Sequence, residues 1–215
     1  MMVTNPSFWR ILFPWILWKG PTELPEVFLT FDDGPHPIHT PRVLDILKHD
    51  QTKATFFLVG EKILLYPEIV ERINKEGHTI GNHGFFHHRL TFQRAEKIRK
   101  QILETDDAIE KITGQKPLFF RPPHGRFDPR FRRLMKELQH RMVLWSLLSY
   151  DFRESDPRKL IRRIQENLHP GAIVVLHDGH PNSQITLEAL LQILSSLRRL
   201  GYRMKPLNTL IGKVA

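Results

Sequence analysis

The chain has 215 residues, 40% of them hydrophobic and 26% charged, which suits one globular domain with a buried core and excludes a disordered chain. Its 32 basic and 23 acidic residues leave a formal net charge of +9, which points to an anionic environment, but no helix-turn-helix, zinc-finger or RNA-binding signature accompanies it and nucleic acid is not expected as a partner. The absence of cysteine excludes disulfides and thiolate ligands, so any metal must sit on His, Asp or Glu.

The chain opens on "MMVTNPSFWRILFPWILWKG", whose apolar run from Phe8 to Trp18 is interrupted by Arg10 and Pro14. It is too short to span a bilayer and lacks the small-residue cleavage site of a signal peptide. Trp9, Trp15 and Trp18 favour packing on the domain, with peripheral membrane contact through residues 8–18 as the alternative. Residues 1–25 therefore read as an aromatic arm and 26–215 as the domain, expected in the cytoplasm or at a membrane periphery.

From Val27 onward, short apolar runs alternate with amphipathic stretches. "VFLTF" reads as a strand. The stretch from Thr40 to His49 reads as a helix, with Thr40 as N-cap and Pro41 at the first helical position. "ATFFLVG" is the next strand and Pro67 to Glu76 the next helix, stopped by Gly77. After "HTIGNH" a long helix is expected from about Thr91 to Ile112, ending at Gly114. "LFFR" is strand, Pro129 to Gln139 helix, "MVLWSLL" strand and Pro157 to Asn167 helix. "GAIVVLHD" is strand, Ile185 to Leu200 helix, and Tyr202 to Lys205 a last strand. Such alternation means a parallel sheet covered by helices, open or closed into a barrel. No glycine-rich phosphate loop follows any strand.

In either architecture functional side chains gather beyond the carboxyl ends of the strands. Asp32 and Asp33 end the first strand, Arg121 ends "LFFR", Asp151 follows "MVLWSLLSY", and His177 ends "AIVVL". "HGFFH" places His83 and His87 four residues apart, able to meet one ion. Alone, that pair reads first as surface histidines, and "DDG" alone first as a surface turn. Together, two imidazoles and one carboxylate make an open metal site that lowers the pKa of bound water towards about 7. The second carboxylate of the pair can then act as base.

"TFDDGP", "GNHGFFHH", "FRPPHG", "WSLLSYDF" and "IVVLHD" also resemble, in order and rough separation, the five motifs of NodB-type polysaccharide deacetylases (carbohydrate esterase family four). The resemblance covers about residues 26 to 205. It implies an α/β fold, a distorted (β/α)7 barrel, and metal-dependent hydrolysis of an N-acetyl group, usually on N-acetylglucosamine. By position, it implies Asp32 as general base, Asp33, His83 and His87 as metal ligands, and Arg121 as the arginine that holds the base. It further implies the backbone N–H of His124 in an oxyanion hole, His177 as general acid, and Asp151 as the carboxylate that orients it. The implied cofactor is one divalent metal, zinc first, with cobalt, nickel or iron left open. Against the family pattern, Gly84 stands for Ser or Thr, His124 for Tyr, Leu148 for Asp, Phe152 for Trp and Val175 for Leu. None removes an atom the reaction requires.

The expected function is removal of N-acetyl groups from a glycan of the peptidoglycan or chitin type. Two alternatives stand beside it: deacylation or deformylation of a lipid-linked aminosugar at a membrane surface, and a carbohydrate-binding protein that has lost catalysis.

Overall fold

The computed structural model describes residues 7–212; the first six residues of the expected arm and the last three of the expected domain lie outside them. Among the described residues, eight strands alternate with helices. The strands are β1 (Glu26–Gly34), β2 (Thr55–Leu58), β3 (Thr79–Asn82), β4 (Phe119–Phe120), β5 (Arg141–Met142), β6 (Leu147–Leu148), β7 (Ala172–His177) and β8 (Arg203–Met204). The helices are α1 (Ser7–Leu12), α2 (His39–His49), α3 (Gly60–Leu65), α4 (Pro67–Lys75), α5 (Ala95–Thr113), α6 (Arg130–Glu137), α7 (Pro157–Glu166) and α8 (Ser183–Arg199).

All strand pairs are parallel, in the order β5-β4-β3-β2-β1-β7-β6, and β8 adds to β1 at Glu26 and Val27. The two outer strands belong to one run, residues 141–148, which pairs with β4 at its start and with β7 at its end. That run closes the ring and makes the fold the distorted (β/α)7 barrel expected from the sequence. The single strand expected from "MVLWSLL" is broken, because the run must change partners in its middle. Leu17 of the arm enters the gap: its N–H donates to the Met142 carbonyl (2.9 Å) and its carbonyl accepts from the Leu144 N–H (2.9 Å).

Period-two alternation along β1 explains the layers. Val27, Leu29 and Phe31 pack with Val43, Leu44 and Leu47 of α2 and with Leu190 and Ile193 of α8, outside the barrel. Phe28 instead joins Leu17, Phe57, Phe119, Val143 and Ile173 in its interior. Thr30 and Asp32 share the parity of Phe28, so the interior turns polar toward the carboxyl ends of the strands. Leu207 and Leu210 belong to the same interior cluster, and the Leu207 N–H donates to Thr55 Oγ1 at the start of β2 (2.9 Å).

Two helix ends follow local chemistry. Asp156 accepts from the Arg158 N–H (2.9 Å) as N-cap of α7, and Gly114 ends α5 at φ 73°, which a residue without Cβ adopts freely. Two expectations are corrected, and one helix is added. Thr40 is not the cap of α2, because its hydroxyl donates to the buried Asp178 carboxylate inside the first turn; His36 Nδ1 accepts from the Ile38 and His39 N–H groups instead (3.2 Å each). α5 starts at Ala95, four residues late. The short α3, directly after β2, had no signal of its own.

The second half of the arm packs on the domain. Ile16, Leu17 and Trp18 are buried, and Phe127 is met edge-on by Phe13 (5.0 Å) and Trp15 (6.0 Å). Phe8, Trp9, Ile11 and Leu12 are exposed, and no helix of the described residues is long and apolar enough to cross a membrane. Leu17→Ala empties part of the barrel interior and is expected to lower unfolding free energy by about 2–4 kcal/mol. Ile11→Ala, 77% exposed, should stay within about 0.5 kcal/mol in the same urea titration.

Candidate active site

Neighbouring residues of a regular strand point to opposite faces, so two adjacent carboxylates could not serve one site. β1 escapes this at its end. Its register with β2 shifts between Asp32 and Gly34, and Asp33 sits at φ 70° in the left-handed region. Such a bulge re-aims the side chain and turns both carboxylates toward one cavity. Lys62 Nζ steadies the bulge by donating to the carbonyls of Asp33 (2.7 Å) and Gly179 (3.0 Å).

His83 follows β3 directly. Its Nδ1–H donates to the Arg121 carbonyl (2.7 Å), which fixes the tautomer and leaves Nε2 with a free lone pair. That Nε2 lies 3.4 Å from Asp33 Oδ1, and His87 Nε2, from the following loop, lies 3.0 Å from the same oxygen. One ligand atom from each residue falls within 4.8 Å of the other two. Asp33 Oδ1 is buried and forms no well-directed hydrogen bond. An orphaned carboxylate oxygen facing two imidazole nitrogens is what a divalent cation would satisfy, so these residues fit the implied metal. Burial would raise the Asp33 carboxyl, but the two imidazoles outweigh it and hold it well below the usual carboxylate range.

Asp32 has a different partner. Arg121, fully buried, donates from Nη1 to Asp32 Oδ1 (2.6 Å) and to Thr30 Oγ1 (2.7 Å). Its Nη2 reaches the Leu144 carbonyl (3.1 Å) and Nε the Val143 carbonyl (3.4 Å), while its plane lies 4.1 Å from the Phe57 ring centre. Asp32 Oδ2 is 4.0 Å from His83 Nε2, placing this carboxylate beside the candidate metal ligands.

β7 lies against β1 with His177 opposite Asp32. The His177 Nδ1–H donates to Asp151 Oδ1 (2.7 Å), and the His177 backbone N–H to Asp151 Oδ2 (2.7 Å). Thr186 (2.6 Å) and Ser149 (2.9 Å) donate their hydroxyls to the same carboxylate. Burial pulls the His177 imidazole down, but Asp151 overrides it, with Asp33 and Asp32 adding, and pushes it up to about 9. His124 stands at φ 59° in the turn after β4, its ring 4.4 Å from that of His87, and its backbone N–H has no acceptor among the described residues. A cavity of about 420 Å³ is walled by Asp32, Asp33, His83, His87, His124 and His177. Asp151 and Arg121 stand behind it, each holding one of those residues.

The family model described as polysaccharide deacetylase matches residues 19–143. The chain belongs to the polysaccharide deacetylase family. It is 35% identical over 199 residues to the peptidoglycan-N-acetylglucosamine deacetylase of Bacillus cereus, covering 92% of this chain and 93% of that one. The solved structure of the Bc1960 peptidoglycan N-acetylglucosamine deacetylase superposes with a TM-score of 0.90 at 33% identity, covering 95% of this chain and 96% of that one. BA3943 of Bacillus anthracis, described as a pseudoenzyme of the same family, superposes at 0.83 with 30% identity, covering 90% of this chain and 67% of that one. Likeness of fold therefore does not separate active polysaccharide deacetylases from inactive ones; the side chains must.

All eight site residues expected from the sequence come together here. Their supporting partners were not foreseen. Thr30 had a signal, standing two residues before Asp32 on the same strand face. Asn82 had none: its Oδ1 accepts from the Gly84 N–H (2.7 Å) and its Nδ2 donates to Asp106 (2.7 Å), which in turn is bonded to His140 (2.8 Å). This buried chain steadies the histidine loop where the family's usual hydroxyl at position 84 is missing. Phe152 still packs edge-on against His177 at 5.3 Å. Arg121→Met would strand a buried carboxylate and should cost about 3–5 kcal/mol in denaturant unfolding. Adding Asp32→Asn to that variant should recover part of the loss, as one coupled pair requires.

Proposed function

We propose that this polysaccharide deacetylase hydrolyses the N-acetyl group of an N-acetylglucosamine-containing glycan, with zinc as its metal. The observation that carries the reading is the convergence of Asp33 Oδ1, His83 Nε2 and His87 Nε2 between a carboxylate held by arginine and an imidazole held by aspartate. A divalent cation held by Asp33, His83 and His87 would acidify a water and polarise the acetamide carbonyl.

The protein's own groups divide the remaining work. Asp32, an acceptor fixed by Arg121, takes the proton of the attacking water as its oxygen bonds to the carbonyl carbon. The His124 N–H donates to the oxyanion that develops there. As the C–N bond breaks, His177 gives its proton to the departing nitrogen, and acetate and a free amine result. Asp151 keeps the His177 Nδ1 proton bound, so the group that donates is Nε2.

Acetate release from N-acetylglucosamine oligomers tests the assignment. Asp32→Asn, isosteric but unable to take the proton, is expected to lower kcat by about 10²–10⁴-fold. Full activity in that variant would remove Asp32 from its role, and no release by the wild type would place the chain with the binding proteins. His177 must be protonated to act, so kcat/KM should hold steady through neutral pH and fall as pH rises through about 9. Asp151→Asn removes the charge that raises His177 and should move that alkaline limb to lower pH.

Metal binding has a readout independent of turnover. Zinc binds only the folded site, so adding it to chelator-treated protein should raise Tm by several degrees, and Asp33→Ala should abolish the shift.

A further inference from the structure

We propose that the N-terminal arm completes the substrate groove by forming a second, aromatic subsite for the sugar next to the one being deacetylated. The inference rests on the deacetylase reading and adds the place where the rest of the glycan lies. A second cavity, about 410 Å³, opens beside the catalytic one, and Gly125, Arg126 and Trp145 wall both. The two are therefore neighbouring compartments of one groove. The catalytic compartment, about 420 Å³, is the size of a site for one small ligand, so a longer glycan must continue outside it.

The second compartment is built from flat aromatic faces. Trp9 and Phe13 come from the arm, Phe127 from the loop after β4, and Trp145 from the bend in the closing strand. These rings are held before any ligand arrives. Trp9 stacks on Phe13 (5.8 Å, 17° between planes), and Phe127 is pinned edge-on by Phe13 at 5.0 Å. Pyranose rings present an apolar C–H face flanked by hydroxyls. A rigid aromatic face with a polar group at its margin suits them, at little cost in ordering. Arg126 supplies that polar margin at the junction: exposed, with no ion pair among the described residues, it offers guanidinium donors to hydroxyl or acetamide oxygens. Gly125 lets the two compartments approach, since a Cβ there would lie 2.2 Å from the Trp145 ring at a backbone φ of 64°.

A lipid surface is the rival occupant of these aromatic side chains. The most exposed apolar residue of the arm, Ile11, and its neighbour Phe8 are not part of the cavity wall, whereas Trp9 is both 42% exposed and within it. The concave shape and the shared wall with the catalytic compartment favour the glycan.

The test compares kcat/KM on the dimer and tetramer of β-1,4-linked N-acetylglucosamine with zinc-loaded protein. The wild type should favour the tetramer. Trp9→Ala should lower the tetramer-to-dimer ratio by about three- to tenfold, the size of one lost aromatic contact. Trp9→Phe should restore most of it, and Ile11→Ser should leave it unchanged. A ratio unaffected by Trp9→Ala, or a wild type indifferent to length, overturns the subsite. So does a Trp9→Ala variant that keeps the ratio while losing co-sedimentation with phosphatidylglycerol vesicles, which would give the arm to lipid. Calorimetric titration of the tetramer into the wild type and Trp9→Ala separates the two readings. Binding weakened by the substitution without any acetate release keeps the subsite and sinks the chemistry, whereas acetate release with equal binding by both proteins sinks the subsite alone.

Discussion

Arg121 and Asp32 form an ion pair inside the barrel, and much of the molecule is arranged around the cost of putting it there. Two charges taken out of water are favourable only when geometry is close and the remaining donors are satisfied. Both conditions hold: the pair closes at 2.6 Å, and the guanidinium also reaches Thr30 and the carbonyls of Val143 and Leu144. Those two carbonyls lie in the bend where the closing strand leaves β4 for β7. The arginine thus ties the barrel's irregular seam to the carboxylate proposed as the base. A regular barrel would have used those carbonyls in its own ladder and left the guanidinium short of acceptors.

The two adjacent aspartates show how environment divides identical groups. Asp32 is held through Oδ1 by a permanent cation, and Asp33 keeps an oxygen with no proton donor aimed at it. The first is a fixed acceptor; the second is free to ligate. His177 and Asp151 make the complementary arrangement across the cavity, where a carboxylate accepting several hydrogen bonds stabilises an imidazolium. The proposed base and the proposed acid are therefore set on opposite flanks of one candidate cation site by their neighbours, not by their own chemistry.

Positive φ angles at Asp33, His124 and Tyr150 fall on the loops that carry this site. Backbone held in a sparsely populated region persists only where the surroundings over-determine it. Here those surroundings include the Lys62 contacts to the Asp33 and Gly179 carbonyls and the close approach of Gly125 to Trp145. The arm contributes as well, since Leu17 fills the gap in the seam and belongs to the same interior cluster as Phe28 and Phe57. An apolar terminal segment is thus a structural part of the barrel.

Local patterning determined a good deal of this. Alternating apolar runs and amphipathic stretches set the parallel, helix-covered sheet, and strand-end Asp, His and Arg residues marked the rim on which the site lies, because both depend on short-range periodicity and on the rule that loops carry function. What the sequence could not decide depends on contacts between segments far apart in the chain. The bulge that swings Asp33 to the side of Asp32, the bend forced on residues 143–146 by a change of pairing partner, and the diversion of Thr40 from helix cap to Asp178 all follow from neighbours that only the folded chain supplies. So does the Asn82–Asp106–His140 relay beneath the histidine loop. Hydrogen-bond partners of buried polar groups are chosen by three-dimensional proximity, and no spacing along the chain encodes that choice.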